Sequence, residues 1–192
     1  MTISFYKETN FKETPIGNIP KEWEVVRLGN KKYFEILKSG IEKFEGKKLY
    51  LSTKCIDGNR IVGFEGEVSF LKRPSRANMQ PVINSVWFAK MKNTVKVYSF
   101  TERNLEEINK YILSTGFCGI KCKDEIDPNF LQQFFLSNQC NKMKDIYVTG
   151  STQQDIKQND IEKLFVPLPP LPEQKAIAHI LSTVDEAIQK TD

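Results

Sequence analysis

The chain is poor in the residues on which most metal and nucleophilic chemistry depends. It has one histidine, His179, and four cysteines, at positions 55, 118, 122 and 140. Cys118 and Cys122 stand four apart, but a structural zinc site wants four ligands in paired short spacings. The lone histidine is far from both in sequence, so zinc is not expected and the cysteines read as buried thiols. Uninterrupted apolar runs are short, and none approaches the roughly 18 residues that a membrane span needs. Residues 1–10 lack the basic start and apolar stretch of a secretory signal. A cytoplasmic setting with reduced thiols is therefore expected.

Catalytic motifs are scarce too. Gly116 and Gly119 do not make a G-x-G-x-x-G loop, and no Walker loop occurs. A DNA methyltransferase would place Asn or Asp before a Pro-Pro pair and an aromatic residue after it. Here Pro169-Pro170 stands between Leu168 and Leu171. A Mg²⁺ nuclease would use carboxylates with a lysine. Two Glu-x-Lys triplets exist, Glu45-Gly46-Lys47 and Glu173-Gln174-Lys175. The first has no aspartate upstream of it, and the second falls at a helix start. A Ser/His/Asp arrangement would have to use His179, which sits at a half-exposed helical position. Structural readings win for all three.

What is present is charge, unevenly spread. The net charge is only +4, yet residues 41–100 carry 11 Lys and Arg against 5 Asp and Glu. From Val68 to Thr101 there are six basic residues (Lys72, Arg73, Arg76, Lys90, Lys92 and Lys96) and no acid. Residues 151–192 are acidic on balance, with 4 basic and 7 acidic residues. A polyanion would meet the first region and not the last. Within it, Lys72-Arg73-Pro74-Ser75-Arg76-Ala77-Asn78 reads as a loop rich in phosphate- and base-binding side chains, restrained by its proline. Lys54 lies just upstream. Gly150-Ser151-Thr152-Gln153-Gln154-Asp155-Ile156 is a second polar candidate. Its Ser151, Thr152 and Gln153 are neutral hydrogen-bonding groups, although Ser151 with Gln154 also fits a capping box.

With 192 residues, 40% of them apolar, the chain suits one domain and an appended element. The first 20 residues read as an extended or turning arm. Trp23–Leu28, Lys48–Thr53, Val82–Ala89, Thr94–Phe100 and Tyr111–Thr115 read as strands, with a turn at Asp57-Gly58-Asn59. A helix is expected over Glu102–Asn109, with Thr101 as its cap. A second opens at Asp127-Pro128 and buries Phe130, Leu131, Phe134 and Phe135. Val166–Pro172 holds four prolines and reads as a stiff extended segment. Behind it a helix over Glu173–Gln189 carries Gln174, Ile177, Leu181, Val184 and Ile188 at steps of 3, 4, 3 and 4, a coiled-coil seam. Residues 1–166 thus form an α+β, mixed and strand-rich domain, and residues 167–192 the junction and a coiled-coil-type helix.

The run from Gly150 to Ile156, then Asp160-Ile161, then Val166 to Gln174 and Ile177-Ala178, closely resembles the end of a target-recognition domain and the start of the helical region in specificity subunits of type I restriction–modification enzymes. Pro15–Val25 and Tyr50-Leu51-Ser52-Thr53 followed by Gly58 resemble that family's opening and early strand. The resemblance covers both ends and skips the middle, where such proteins vary with the sequence they read. It implies a non-catalytic subunit that recognises double-stranded DNA and directs a modification (methyltransferase) subunit and a restriction subunit. S-adenosylmethionine, ATP and Mg²⁺ would be held by those partners, and no cofactor by this chain. The family's usual subunit has two recognition domains, so one domain with a helix stopping at Asp192 reads as a half-subunit or a truncated one. Pairing through Ile177, Leu181, Val184 and Ile188 would give a homodimer or a contact with a partner helix. Lys54, Lys72, Arg73, Arg76, Asn78, Ser151, Thr152 and Gln153 are the candidate DNA contacts. Two other readings stay open: the recognition end of a self-contained restriction–modification enzyme, and a helix-mediated protein-interaction module.

Overall fold

The structure is a computed structural model that describes residues 10–148 and 154–190. Strands β1 (Phe11–Thr14), β2 (Gly17–Pro20), β3 (Glu24–Arg27) and β4 (Phe34–Ile36) come first. The middle holds β5 (Lys48–Leu51), β6 (Ile56–Asp57), β7 (Arg60–Ile61), β8 (Gly66–Val68), β9 (Ala77–Met79), β10 (Ser85–Ala89) and β11 (Val97–Phe100). Helix α1 (Leu105–Lys110) runs straight into β12 (Tyr111–Ser114), and β13 (Phe117–Cys122) follows a tight turn. The last part contains α2 (Pro128–Leu136), α3 (Asn138–Ile146), α4 (Gln158–Ile161), β14 (Phe165–Leu168) and α5 (Leu171–Gln189). This is the expected α+β, strand-rich architecture with a C-terminal helix.

Local chemistry accounts for most element boundaries. Asp127 caps α2 by accepting from the Asn129 and Phe130 backbone N–H groups, and Pro128 takes the first helical position, where no N–H is needed. Thr101 caps a short 3-10 turn, Glu102–Asn104, that leads into α1. Asp57 pairs with Arg60 across Gly58-Asn59, a two-residue hairpin loop in which Gly58 has φ of 54°. The residue-1-to-20 arm is a hairpin in its described part, with β1 antiparallel to β2.

Two four-stranded sheets build the core. One has the order β11-β10-β13-β4 and is antiparallel; the other has the order β8-β5-β12-β9, with β5 and β12 parallel. Strand β10 is buried on both faces. Val86 and Phe88 join Cys118, Ile120, Leu131, Phe134 and Phe135 in a core under α2. Trp87 and Ala89 face the other way, with Phe100, Phe117, Leu51 and Leu113, between the two sheets. The Trp87 indole N–H donates to Ser85 Oγ at 2.8 Å, and Ser85 in turn donates to the Val82 carbonyl. Gly119 makes room for this ring, since a Cβ there would lie 2.6 Å from Trp87.

The proline-rich stretch is extended, as its composition implies, but its first part belongs to the domain and crosses the boundary expected at residue 166. Its first part is β14, which pairs antiparallel with β3, Pro167 opposite Val25, and buries Val166 and Leu168 in the core under α2. Pairing satisfies the backbone groups that proline leaves it, so the segment is held down by the domain. Helix α5 begins at Leu171, two residues before the expected Glu173, because Pro172 can occupy the first turn. Gln174 is buried there. Its side chain accepts from Asp127 N at 2.9 Å and donates to the carbonyls of Glu125 and Pro169. Trp23 Nε1 donates to Glu173 at 3.0 Å, and Asp185 accepts from Asn59 and Gln133. The helix therefore lies on the domain through Gln174, Ala178 and Asp185. The expected seam is only partly used: Ile177 is half-buried, while Leu181, Val184 and Ile188 are exposed.

Two outcomes test this packing. Gly119→Ala drives a methyl group into the Trp87 ring and should lower stability by about 1–3 kcal/mol in urea unfolding. All four cysteines are buried, and burial pushes the Cys118 and Cys140 thiols up to about 12. Iodoacetamide near neutral pH should leave the native chain unlabelled and modify all four once urea unfolds it.

Candidate nucleic-acid interface

Strand pairing brings three distant basic segments to one rim of the two sheets. β5 and β12 are parallel, with Leu51 beside Leu113, so both strands end on the same side. The 3-10 turn Thr53–Cys55 leaves β5 there, and the Thr115-Gly116 turn leaves β12. The Thr115 N–H donates to the Arg76 carbonyl at 2.8 Å. A Cβ on Gly116 would lie 3.2 Å from Thr53 and 3.3 Å from the Arg76 guanidinium, so these groups converge on the turn. Next comes the β10–β11 loop: the Lys90 N–H donates to the Gly116 carbonyl at 3.0 Å. Lys54, Arg76, Lys90 and Lys92 lie at this edge. Lys54, Arg76 and Lys92 are exposed and Lys90 half-buried, while Lys96 lines the cavity beside α3 with Phe135, Cys140 and Lys144.

Acids on the rim are few. Lys54 pairs with Glu65 at 3.0 Å, and Ser52 also donates to that carboxylate. Both hydrogen bonds favour the charged form, so Glu65 is held below the usual carboxylate range and Lys54 above the usual lysine range. Lys90 has Asp155 at 4.0 Å. Past the rim loop, the Lys92 N–H donates to the Gln154 carbonyl and the Ile156 N–H to the Lys90 carbonyl, both at 3.0 Å. Gln154–Ile156 thus lies against the basic loop.

The candidates read from sequence fall into three groups. Lys54 and Arg76 come together on the rim. Lys72 and Arg73 belong to the crossing from β8 to β9, and Asn78 to β9 itself. Lys72 is exposed, but Arg73 is committed to the loop itself: it donates to the carbonyls of Phe70 and Ala77 and to Asn78 Oδ1, and stacks 4.8 Å over the Phe70 ring. The Asn78 amide donates to Ser39 Oγ at 2.9 Å, and Ala77 and Asn78 belong to β9 and not to the loop. Ser151, Thr152 and Gln153 lie outside the described residues. Lys90, Lys92 and Thr115 were not singled out from sequence, although the acid-free run from Val68 to Thr101 contained both lysines. Among the described residues no group of three His, Cys, Asp or Glu could hold a metal. Lys47 of the first Glu-x-Lys triplet is paired with Glu67, and Glu173 of the second with Trp23.

Comparison with known proteins gives the chain's family. A family model described as the type I restriction modification DNA specificity domain matches residues 20–192. The chain belongs to that family. Two specificity subunits from Methanocaldococcus jannaschii are similar to it: the putative type I restriction enzyme MjaX subunit, 30% identical over 98% of this chain and 42% of that protein, and the MjaVIII subunit, 30% identical over 97% and 41%. The crystal structure of the HsdS subunit from Thermoanaerobacter tengcongensis has a similar fold, with a TM-score of 0.69 and 24% identity over 90% of this chain and 44% of that one. The chain thus spans about two fifths of the length of the relatives it matches. For this specificity domain, α5 is also notable for length: its 19 residues extend about 28 Å. No helix among the described residues is long and apolar enough to cross a membrane.

Arg73 and Lys72 should part in a stability test. Arg73→Ala removes bonds from one guanidinium to two carbonyls and an amide, and should cost about 1–3 kcal/mol in urea unfolding. Lys72→Ala should stay within about 0.5 kcal/mol of the parent.

Proposed function

We propose that this chain reads double-stranded DNA sequence as the recognition part of a type I restriction–modification specificity subunit. Residues 1–166 do the reading and residues 167–192 the joining, although β14 crosses that boundary. The observation that carries the reading is the rim, where Lys54, Arg76, Lys90 and Lys92 arrive from separate parts of the chain. Such a row of cations suits a phosphate backbone, and Thr53, Thr115 and Asn93 beside it offer neutral hydrogen bonds for base edges.

No step of catalysis is assigned to the chain. Methyl transfer with S-adenosylmethionine and cleavage with ATP and Mg²⁺ belong in this reading to the modification and restriction subunits, which the chain directs to their site in the cytoplasm. Exposed Leu181, Val184 and Ile188, with Ile177 at their flank, form the surface for a partner helix, either from a second copy or from another subunit.

Replacing Lys54, Arg76, Lys90 and Lys92 together by alanine tests the reading. Binding to a mixed-sequence duplex should weaken at least about a hundredfold near 0.1 M salt, and the slope of log affinity against log salt should fall by about 3. An unchanged slope, with the fold intact by circular dichroism, overturns it.

A further inference from the structure

Helix α3 carries a buried cation away from the rim surface. Lys144 is 3% exposed, yet its ammonium faces no carboxylate within ion-pair distance among the described residues. It donates to the carbonyl of Thr94 at 2.6 Å and to that of Ala89 at 3.4 Å. These two carbonyls stand on opposite legs of the β10–β11 loop. The next residue, Asp145, accepts from the Asn93 N–H with both carboxylate oxygens, each at 3.2 Å. Asn93 sits at the tip of the loop with φ of 53°, a left-handed conformation that asparagine adopts more readily than other non-glycine residues. Burial pulls the Lys144 pKa down, while the neighbouring Asp145 charge pulls it up. A buried ammonium is expensive, and a hydrophobic residue of similar length could fill the same space.

The cost makes sense from what the loop carries. Lys90 and Lys92 are two of the rim's cations, and the loop backbone holds Gln154–Ile156 through the bonds at Lys92 N and Lys90 O. Met91 and Asp155 form an antiparallel bridge between them. Gln154–Ile156 is therefore tied to the loop, and α3 holds the loop at Ala89, Asn93 and Thr94. Base reading requires side chains to be placed within about half an ångström, which a free seven-residue loop would not provide.

We propose that Lys144 and Asp145 are positioning residues for DNA reading: they lock the Lys90–Lys96 loop, and through it Gln154–Ile156, in the geometry that selects sequence. This rests on the reading of the rim as the DNA surface. Lys144 itself is buried and touches no phosphate, so its loss should disturb selection more than attraction.

Lys144→Met and Asp145→Ala separate the possibilities. The carboxylate of Asp145 is half-exposed, so its variant keeps the fold even if Lys144→Met does not. Amide hydrogen exchange on the free chain should accelerate at Lys92, Asn93 and Ile156 and stay unchanged at β12 and β13. Two duplex probes are then compared: one selected by the parent chain from a randomised library, and poly(dI-dC). Preference for the selected duplex should fall about tenfold or more, the scale of one misread base pair, while affinity for poly(dI-dC) and its salt slope persist. Unchanged exchange at the loop, or equal loss on both probes, overturns the positioning role. If the parent chain binds neither probe, the rim reading itself has failed, and the exchange result still decides whether the clamp holds the loop.

Discussion

The structure depends on burying β10 on both faces. Ser85–Ala89 sends Val86 and Phe88 into one core and Trp87 and Ala89 into another. A strand in that position must be satisfied on both edges and matched in shape on both sides. β11 and β13 supply the edges, and Gly119 supplies the shape by leaving a gap for Trp87. Once β10 is placed, the second sheet must close over Trp87 and Phe117, which sets β5 and β12 side by side. The candidate interface is a consequence of this stacking. The turns and loops that leave the two sheets on this side carry Lys54, Arg76, Lys90 and Lys92.

The other end of the molecule follows from β14. Its pairing with β3 anchors the chain just before α5, and buried Gln174 fixes the helix's first turn against the start of α2. Direction is thereby imposed on a helix whose distal half shows apolar residues to solvent. The proposed recognition and joining surfaces are thereby connected through the packed domain.

Much of this was legible in the sequence where the signal is local. The Asp127-Pro128 cap, the Asp57-Gly58-Asn59 turn, the strands around Trp87 and Tyr98, and the periodicity of α5 each depend on neighbours within a few residues. The features that escaped depend on distant ones. The parallel match of Lys48–Leu51 with Tyr111–Ser114 joins segments some sixty residues apart, and nothing in either segment names the other. Helix α3 is too polar for its apolar face to stand out, with Cys140 and Lys144 as its buried positions. The proline run reads as a linker by composition, and only its partner Glu24–Arg27 makes it a strand. For the site, composition located the basic region. It could not tell Arg73, spent on its own loop, from Arg76, which reaches the rim, because both sit in one short polar stretch.

We propose that this chain supplies the DNA address for enzymes carried on other subunits. The most direct measurement is a map of methylated adenine across chromosomal DNA in cells that make the methyltransferase subunit with and without this chain. Methylation confined to one sequence motif, present only when the chain is made, is the predicted result. An identical map in both cells would contradict it.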